Sequence, residues 1–346
     1  MKSRLLGSAI LALYLAGCAA LIKPEHGENV VFPSRDHVFI DDILSAHPSP
    51  RRWIGGTLVL PRGPAPGHRA EAASAAQAGA PPFPAVIILH TASGVGTLEW
   101  TFAKSLLERK IAVFVIDSFS PRDVIKTTED QAAVTEAMMI ADGYAALGAL
   151  ARDPRIRRDR IALIGFSKGG TAALLSALER IRENLAARGL RFAAHVAFYP
   201  WCGLTLIDRR VTGAPVQIHV GGRDSLMPGA LCESFANELK RANPGAPIAF
   251  FSYQGARHAF NHPLLANLPA LPTSVQTPGD CRIAEEAPNR FVERSTRRAL
   301  SRESYREVLS LCMGFGGSVG YHEAAARLAA ARTHGLLTET LLGPGP

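Results

Sequence analysis

The strongest constraint on this chain is an alternation. Short apolar runs, Ala85 to Leu89, Ile111 to Ile116, Arg160 to Ile164, Ala193 to Phe198, Val216 to Val220 and Ile248 to Tyr253, are separated by stretches of helical periodicity. Those stretches are Thr97 to Lys110, Glu129 to Leu150, Gly169 to Ala187 and Gly229 to Ala242, with a last amphipathic segment from Tyr321 to Ala331. A strand that is apolar throughout must be covered on both faces, and parallel pairing needs a helical crossover between strands. The pattern predicts an α/β fold, a doubly wound, mostly parallel sheet with helices on both faces. With 346 residues, 47% of them hydrophobic, the chain can bury one large core or two modest ones. The domain is expected over residues 51–335, opening on a strand from Trp53 to Leu60 and followed by a tail, 336–346.

The first residues belong to a different class. Lys2 and Arg4 precede the apolar run Leu5 to Leu15, which is too short to span a bilayer and reads as an export signal. It ends in Leu15-Ala16-Gly17-Cys18, which resembles the lipobox of bacterial lipoproteins, where cleavage leaves the cysteine as an acylated first residue. The alternative is an ordinary signal cut near Ala16 to Ala20. The expectation is a signal over 1–17, lipidation at Cys18, and an exported, periplasm-facing lipoprotein held at the membrane, the outer one, by that anchor. Residues 18–50 are then a polar tether and lead-in with one possible strand, Asn29 to Phe32.

Net charge is +8, and losing Lys2 and Arg4 with the signal leaves +6. The one dense basic run, Arg155 to Arg160, adjoins a proline turn and has no interleaved aromatics, so it reads as a solvated loop, and nucleic acid is not an expected partner. Beyond Cys18 stand Cys202, Cys232, Cys281 and Cys312, an even number in a compartment that permits disulfides. Three pairings are possible. The expected one joins 202 to 232 and 281 to 312, since each pair flanks segments this fold brings together. Two segments lack periodicity: 63–84, rich in Ala, Gly and Pro and read as a long surface loop, and 263–309, read as an ordered excursion or cap beside the site.

In parallel sheets of this kind, functional groups gather at the carboxyl ends of the strands. The run ending at Ile164 is followed by Gly165-Phe166-Ser167-Lys168-Gly169-Gly170, a nucleophile-elbow pattern that lifts a serine above the sheet on a strand-to-helix turn. The phosphate-binding spacing G-x-x-x-x-G-K-[ST] is absent. A serine hydroxyl needs a base, and the base needs an acid to orient it. Downstream, Asp224 and His258 close two successive strands in the order Ser, acid, His. The competitors fit less well: Asp117 precedes the serine, His195 and His219 lie inside strands, and His262 is the nearest rival to His258. The backbone amide of Lys168 and that of Ala92, with Thr91 as runner-up, are the expected oxyanion donors. No metal site is expected.

These motifs together make the chain similar to the dienelactone hydrolase family of α/β-hydrolases over roughly residues 53–335. The resemblance rests on Val86-Ile87-Ile88-Leu89-His90 with Gly94, Asp117-Ser118-Phe119-Ser120-Pro121-Arg122, Gly165 to Gly170, Phe198-Tyr199-Pro200, Gly222-Arg223-Asp224 with Pro228, and Arg257-His258-Ala259-Phe260. It implies an α/β-hydrolase fold, no cofactor, a monomer or weak dimer, and cleavage of a small-molecule ester or lactone through Ser167, Asp224 and His258. Founding members carry cysteine where Ser167 stands, glutamate where Thr91 stands and arginine where His262 stands. Thr91, Arg122 and His262 are therefore candidates for substrate contact, Arg122 equally for a surface salt bridge. The departures argue against dienelactone itself and for general serine esterase chemistry. An acyltransferase or peptidase with the same triad, and a catalytically silent envelope protein, are the alternatives.

Overall fold

A computed structural model describes residues 24, 26–63, 82–266 and 271–344. Cys18, the signal segment and most of the loop expected over 63–84 lie outside the described residues.

The strands are β1 (Glu28–Arg35), β2 (Arg51–Val59), β3 (Phe83–Leu89), β4 (Ala112–Asp117), β5 (Ile156–Phe166), β6 (His195–Phe198), β7 (Leu204–Thr205), β8 (Val216–Gly221) and β9 (Ile248–Tyr253). Eight of them form one sheet in the order β1-β2-β4-β3-β5-β6-β8-β9, with β7 left out. From β4 to β9 all pairs are parallel, while β1 and β2 are antiparallel. This is the expected doubly wound sheet. Helix α1 (Ile40–Leu44) is followed by α2 (Thr97–Leu107), α3 (Glu136–Leu150), α4 (Lys168–Leu175), α5 (Glu179–Leu185) and α6 (Gly229–Ala242). Two separate cores result: Ile87, Phe114 and Leu163 face α3, α4 and α6, whereas Val86, Val113 and Ile164 face α2 and the C-terminal helix.

Four boundaries differ from expectation. The lead-in is part of the domain, because Phe32, Phe39, Ile40, Ile43 and Leu44 are buried in the first core. As an edge strand carrying Pro33, β1 buries only alternate residues, Phe32 and Ser34. The span Gly169 to Ala187 is two helices, broken at Ser176–Leu178, and helix α3 starts at Glu136 rather than 129. At the other end α8 (Glu323–Leu337) runs into a further turn over Thr338–Leu342, with Leu337 and Leu341 fully buried, so residues 336–342 are core rather than tail.

The excursion is ordered. It holds β10 (Leu271–Thr277), β11 (Ile283–Ala287), β12 (Arg290–Glu293), β13 (Arg298–Leu300), α7 (Tyr305–Cys312) and β14 (Gly314–Gly317). Strands β13, β12 and β11 join β7 in a small sheet, and β10 pairs β14. Both expected disulfides are present, Cys202–Cys232 and Cys281–Cys312, the second closing most of the excursion into a loop. They point to an extracellular or periplasmic setting. Among the described residues no helix is long and apolar enough to cross a membrane.

The second bridge closes a loop of 31 residues, for which chain-entropy arguments give about 3–4 kcal/mol of stabilisation. A Cys281→Ser/Cys312→Ser double variant should lose that amount in urea unfolding monitored by circular dichroism.

Candidate active site

Strand β5 ends in a turn so tight that side chains are excluded around it. A Cβ on Gly165 would lie 1.9 Å from the Gly169 carbonyl oxygen, and one on Gly169 would lie 2.4 Å from that of Leu89. Between them Ser167 adopts φ 53° and ψ −115°, a conformation costly for a residue with a side chain. Two backbone bonds hold it: Ser167 N–H donates to the Phe198 carbonyl at 2.9 Å and Gly169 N–H to the His90 carbonyl at 3.1 Å. The elbow is thus clamped by the ends of both neighbouring strands, β3 and β6.

The three residues singled out in the sequence meet at the carboxyl edge of the sheet. Ser167 Oγ is 2.9 Å from His258 Nε2, and His258 Nδ1 is 2.7 Å from Asp224 Oδ2. A carboxylate only accepts, so the imidazole proton sits on Nδ1 and Nε2 accepts from the serine hydroxyl. The other oxygen of Asp224 accepts from the Leu226 and Met227 amides, both at 2.9 Å. All three residues are buried. The Tyr199 ring meets the His258 ring edge to face at 4.7 Å, and its hydroxyl donates to Asn261 Oδ1 at 2.8 Å. Burial, with help from Glu99 and Asp224, raises the Tyr199 hydroxyl well above its ordinary range, so it stays protonated. Gly320 N–H donates to the His258 carbonyl at 3.1 Å and Val319 bridges to His258, so the segment that follows the excursion holds the histidine backbone.

The loop after β3 stands opposite. His90 is fully buried; Ser118 N–H donates to its Nε2 at 3.2 Å, so Nδ1 carries the proton and donates to the Thr91 carbonyl at 2.7 Å. Thr91 N–H is already committed to Glu99 Oε1 at 3.2 Å. That removes Thr91 as an oxyanion donor, whereas neither Ala92 N–H nor Lys168 N–H meets an acceptor among the described residues. The Ala92 carbonyl is anchored by Thr127 N–H at 2.8 Å. The Lys168 side chain is buried and donates to the Gln131 carbonyl at 2.9 Å and to Glu136 Oε1 at 3.1 Å. Gln131 in turn bonds Gln276 of β10, so the segment 127–136 links the elbow, the loop after β3 and the excursion.

The remaining candidates lie elsewhere. Arg122 contacts no open site and is no surface residue: its guanidinium is 4% exposed and bonds Asp36 at 2.9 Å, Asp142 at 2.7 Å and the Ser118 carbonyl at 2.7 Å. The buried Asp142, the half-buried Asp36 and a carbonyl use its donors, which is why it is structural. His262 accepts from Leu264 N–H through Nδ1, capping a short turn, and burial pushes its pKa down to about 4. It is therefore a neutral imidazole, not a cation replacing an arginine. His195 and His219 are buried strand residues, His195 bonded through Nδ1 to the Ala173 carbonyl and His219 to Tyr253 and Gln217, and Asp117 caps the Phe119 and Ser120 amides. Among the described residues no cluster of His, Cys, Asp and Glu suited to a metal is present.

The pattern of the dienelactone hydrolase family matches residues 70–341. The chain belongs to the dienelactone hydrolase family. A Bradyrhizobium sp. protein named as a probable 2-oxo-3-(5-oxofuran-2-ylidene)propanoate lactonase is 27% identical over 187 residues, 52% of this chain and 74% of that protein. A crystal structure from Klebsiella pneumoniae subsp. pneumoniae MGH 78578, assigned as a dienelactone hydrolase, superposes with a TM-score of 0.50 at 16% identity, covering 90% of this chain and 99% of that one. Thermogutta terrifontis esterase 2 phosphoramylated by tabun gives a TM-score of 0.47 at 15% identity, covering 68% and 86%. As a member of this family the protein is a carboxylic ester hydrolase, acting on esters or lactones.

Sequence reasoning missed Glu99, Tyr199 and Asn261 as parts of the site. For Glu99 a signal existed: a glutamate three residues after the Gly96 that caps α2 is capping-box spacing. Glu99 is fully buried, and that burial raises its pKa from 4.5 to about 7. Because the folded state holds this proton more tightly than the unfolded state does, stability falls as pH rises from about 4.5 to about 7 and then levels off. The loss from this group is about 3 kcal/mol at most. Urea unfolding at pH 5 and pH 8 should show a smaller difference for Glu99→Gln than for the wild type.

Proposed function

We propose that the protein is an exported serine esterase that hydrolyses a carboxylic ester or lactone through Ser167, His258 and Asp224 by way of an acyl-enzyme. The observation that carries this reading is the unbroken chain from Ser167 Oγ through both ring nitrogens of His258 to Asp224, at 2.9 and 2.7 Å.

In the first step Nε2 of His258 takes the Ser167 proton as Oγ attacks the substrate carbonyl carbon, and Asp224 offsets the imidazolium charge. The tetrahedral oxyanion is met by the N–H groups of Ala92 and Lys168, the latter in the first turn of α4, whose amino-terminal dipole favours negative charge. The imidazolium then protonates the leaving alcohol, giving the acyl-enzyme. Water, deprotonated by the same imidazole, attacks the acyl carbon and releases the acid and Ser167. No cofactor enters the cycle.

The substrate reading follows from the departures. Thr91 and a neutral His262 replace a glutamate and an arginine of the founding members, and Arg122 is consumed by Asp36 and Asp142. An uncharged ester or lactone therefore suits the site better than the anionic dienelactone. The N-terminal motif ending at Cys18 supports a periplasm-facing lipoprotein, in the outer membrane, and the family resemblance a monomer or weak dimer.

Purified protein should hydrolyse short p-nitrophenyl esters and be labelled at Ser167 by a fluorophosphonate. Ser167→Ala should abolish labelling, and Asp224→Asn should lower kcat about ten-thousand-fold by leaving His258 in the wrong tautomer. Full activity in either variant would rule the mechanism out.

A further inference from the structure

Glu99 is placed in a way that helix capping alone does not explain. A capping-box glutamate ordinarily reaches back to a single N-cap amide from the first turn. In this protein one carboxylate oxygen, Oε2, takes the Gly96 amide at 2.8 Å, while the other reaches eight residues back to the Thr91 amide at 3.2 Å. These two amides are the first and last of the loop that stands opposite Ser167. The side chain is 1% exposed, and no cation pairs with it among the described residues. A carboxyl group without a counter-ion is costly to bury, and a surface capping residue would not need to be there.

The arrangement commits four of the six amides over 91–96. Ser93 N–H is committed to Thr91 Oγ1 at 3.1 Å and Gly94 N–H to the Thr91 carbonyl at 3.1 Å, while Glu99 takes the amides of Thr91 and Gly96. The Ala92 and Val95 amides are left without an acceptor among the described residues, and Ala92 is the one whose carbonyl is pinned from the far side, by Thr127 N–H at 2.8 Å.

We propose that Glu99 is a positioning residue for the hydrolytic reaction: its two carboxylate oxygens clamp both ends of the 91–96 loop and so aim the Ala92 N–H at the oxyanion. The inference rests on the acyl-enzyme reading above. It requires two acceptor atoms on one side chain. A glutamine in its place would offer one acceptor and turn an NH2 group toward the second amide, alanine offers none, and aspartate keeps both oxygens but lacks the reach.

The test compares Glu99→Gln, Glu99→Asp and Glu99→Ala on a short p-nitrophenyl ester, together with the affinity of a phenylboronic acid that forms a tetrahedral adduct on serine. A donor displaced from the oxyanion weakens the transition state and its analogue but not ground-state binding. The expected result is a fall in kcat of about tenfold for Glu99→Gln and about a hundredfold for Glu99→Ala, with Glu99→Asp between them. KM should stay within about twofold, and boronate affinity should fall in step with kcat/KM. Should the alanine variant fail to fold by circular dichroism, the volume-conserving Glu99→Gln decides. Unchanged kcat in a folded variant, or a loss of kcat with boronate affinity intact, would overturn the proposal and reduce Glu99 to a helix cap. Fluorophosphonate labelling of the wild type separates the two failures: a labelled Ser167 with indifferent Glu99 variants overturns only this inference, and an unlabelled Ser167 overturns both.

Discussion

Everything at this site hangs on the backbone of one residue. Ser167 is held in a left-handed conformation because β5 ends between two strands that are already fixed, with Phe198 of β6 accepting its amide and His90, just after β3, accepting that of Gly169. Local strain of this kind persists only where the surroundings over-determine it. The fully buried neighbours Ile164, Phe166, Val196 and Phe198 supply that rigidity, and the missing side chains at Gly165 and Gly169 supply the room. The sheet is the anvil on which a single serine is bent.

Buried charge is used twice nearby, in different ways. Arg122 is fully compensated by Asp36 and Asp142, with Ser34 also donating to Asp142 at 2.6 Å, and this network ties the lead-in strand to α3 and to the end of β4. Glu99 has hydrogen bonds but, among the described residues, no counter-ion. The first arrangement fixes secondary structure; the second lowers stability at the site, where strain and desolvation are commonly concentrated.

The sheet and the Ser, Asp, His order were legible because both are written locally. Apolar runs such as Ile161 to Ile164 mark strands buried on both faces, and in this architecture a residue just after such a run must lie at the functional edge. What was not legible depended on partners distant in sequence. Arg122 follows a strand as a ligand-binding arginine would, and only the fold reveals that Asp36 and Asp142 have taken its donors. Strand β1 hid its burial because an edge strand buries alternate residues. The excursion hid its strands because they are only three to seven residues long and find their partners in one another and in β7. Glu99 hid its second oxygen, since capping-box spacing announces the bond to Gly96 but not the one to Thr91.

The bridge between His258 and Val319 reaches across the whole excursion. A nascent chain that has just completed β9 and its following turn already contains Ser167, Asp224 and His258, yet lacks the segment against which the histidine backbone is fixed. The disulfide between Cys281 and Cys312 lies in the intervening stretch and forms only where thiols are oxidised. The backbone support behind His258 therefore comes from residues that follow the excursion in the chain, and the bridge that staples the intervening stretch needs an oxidising environment.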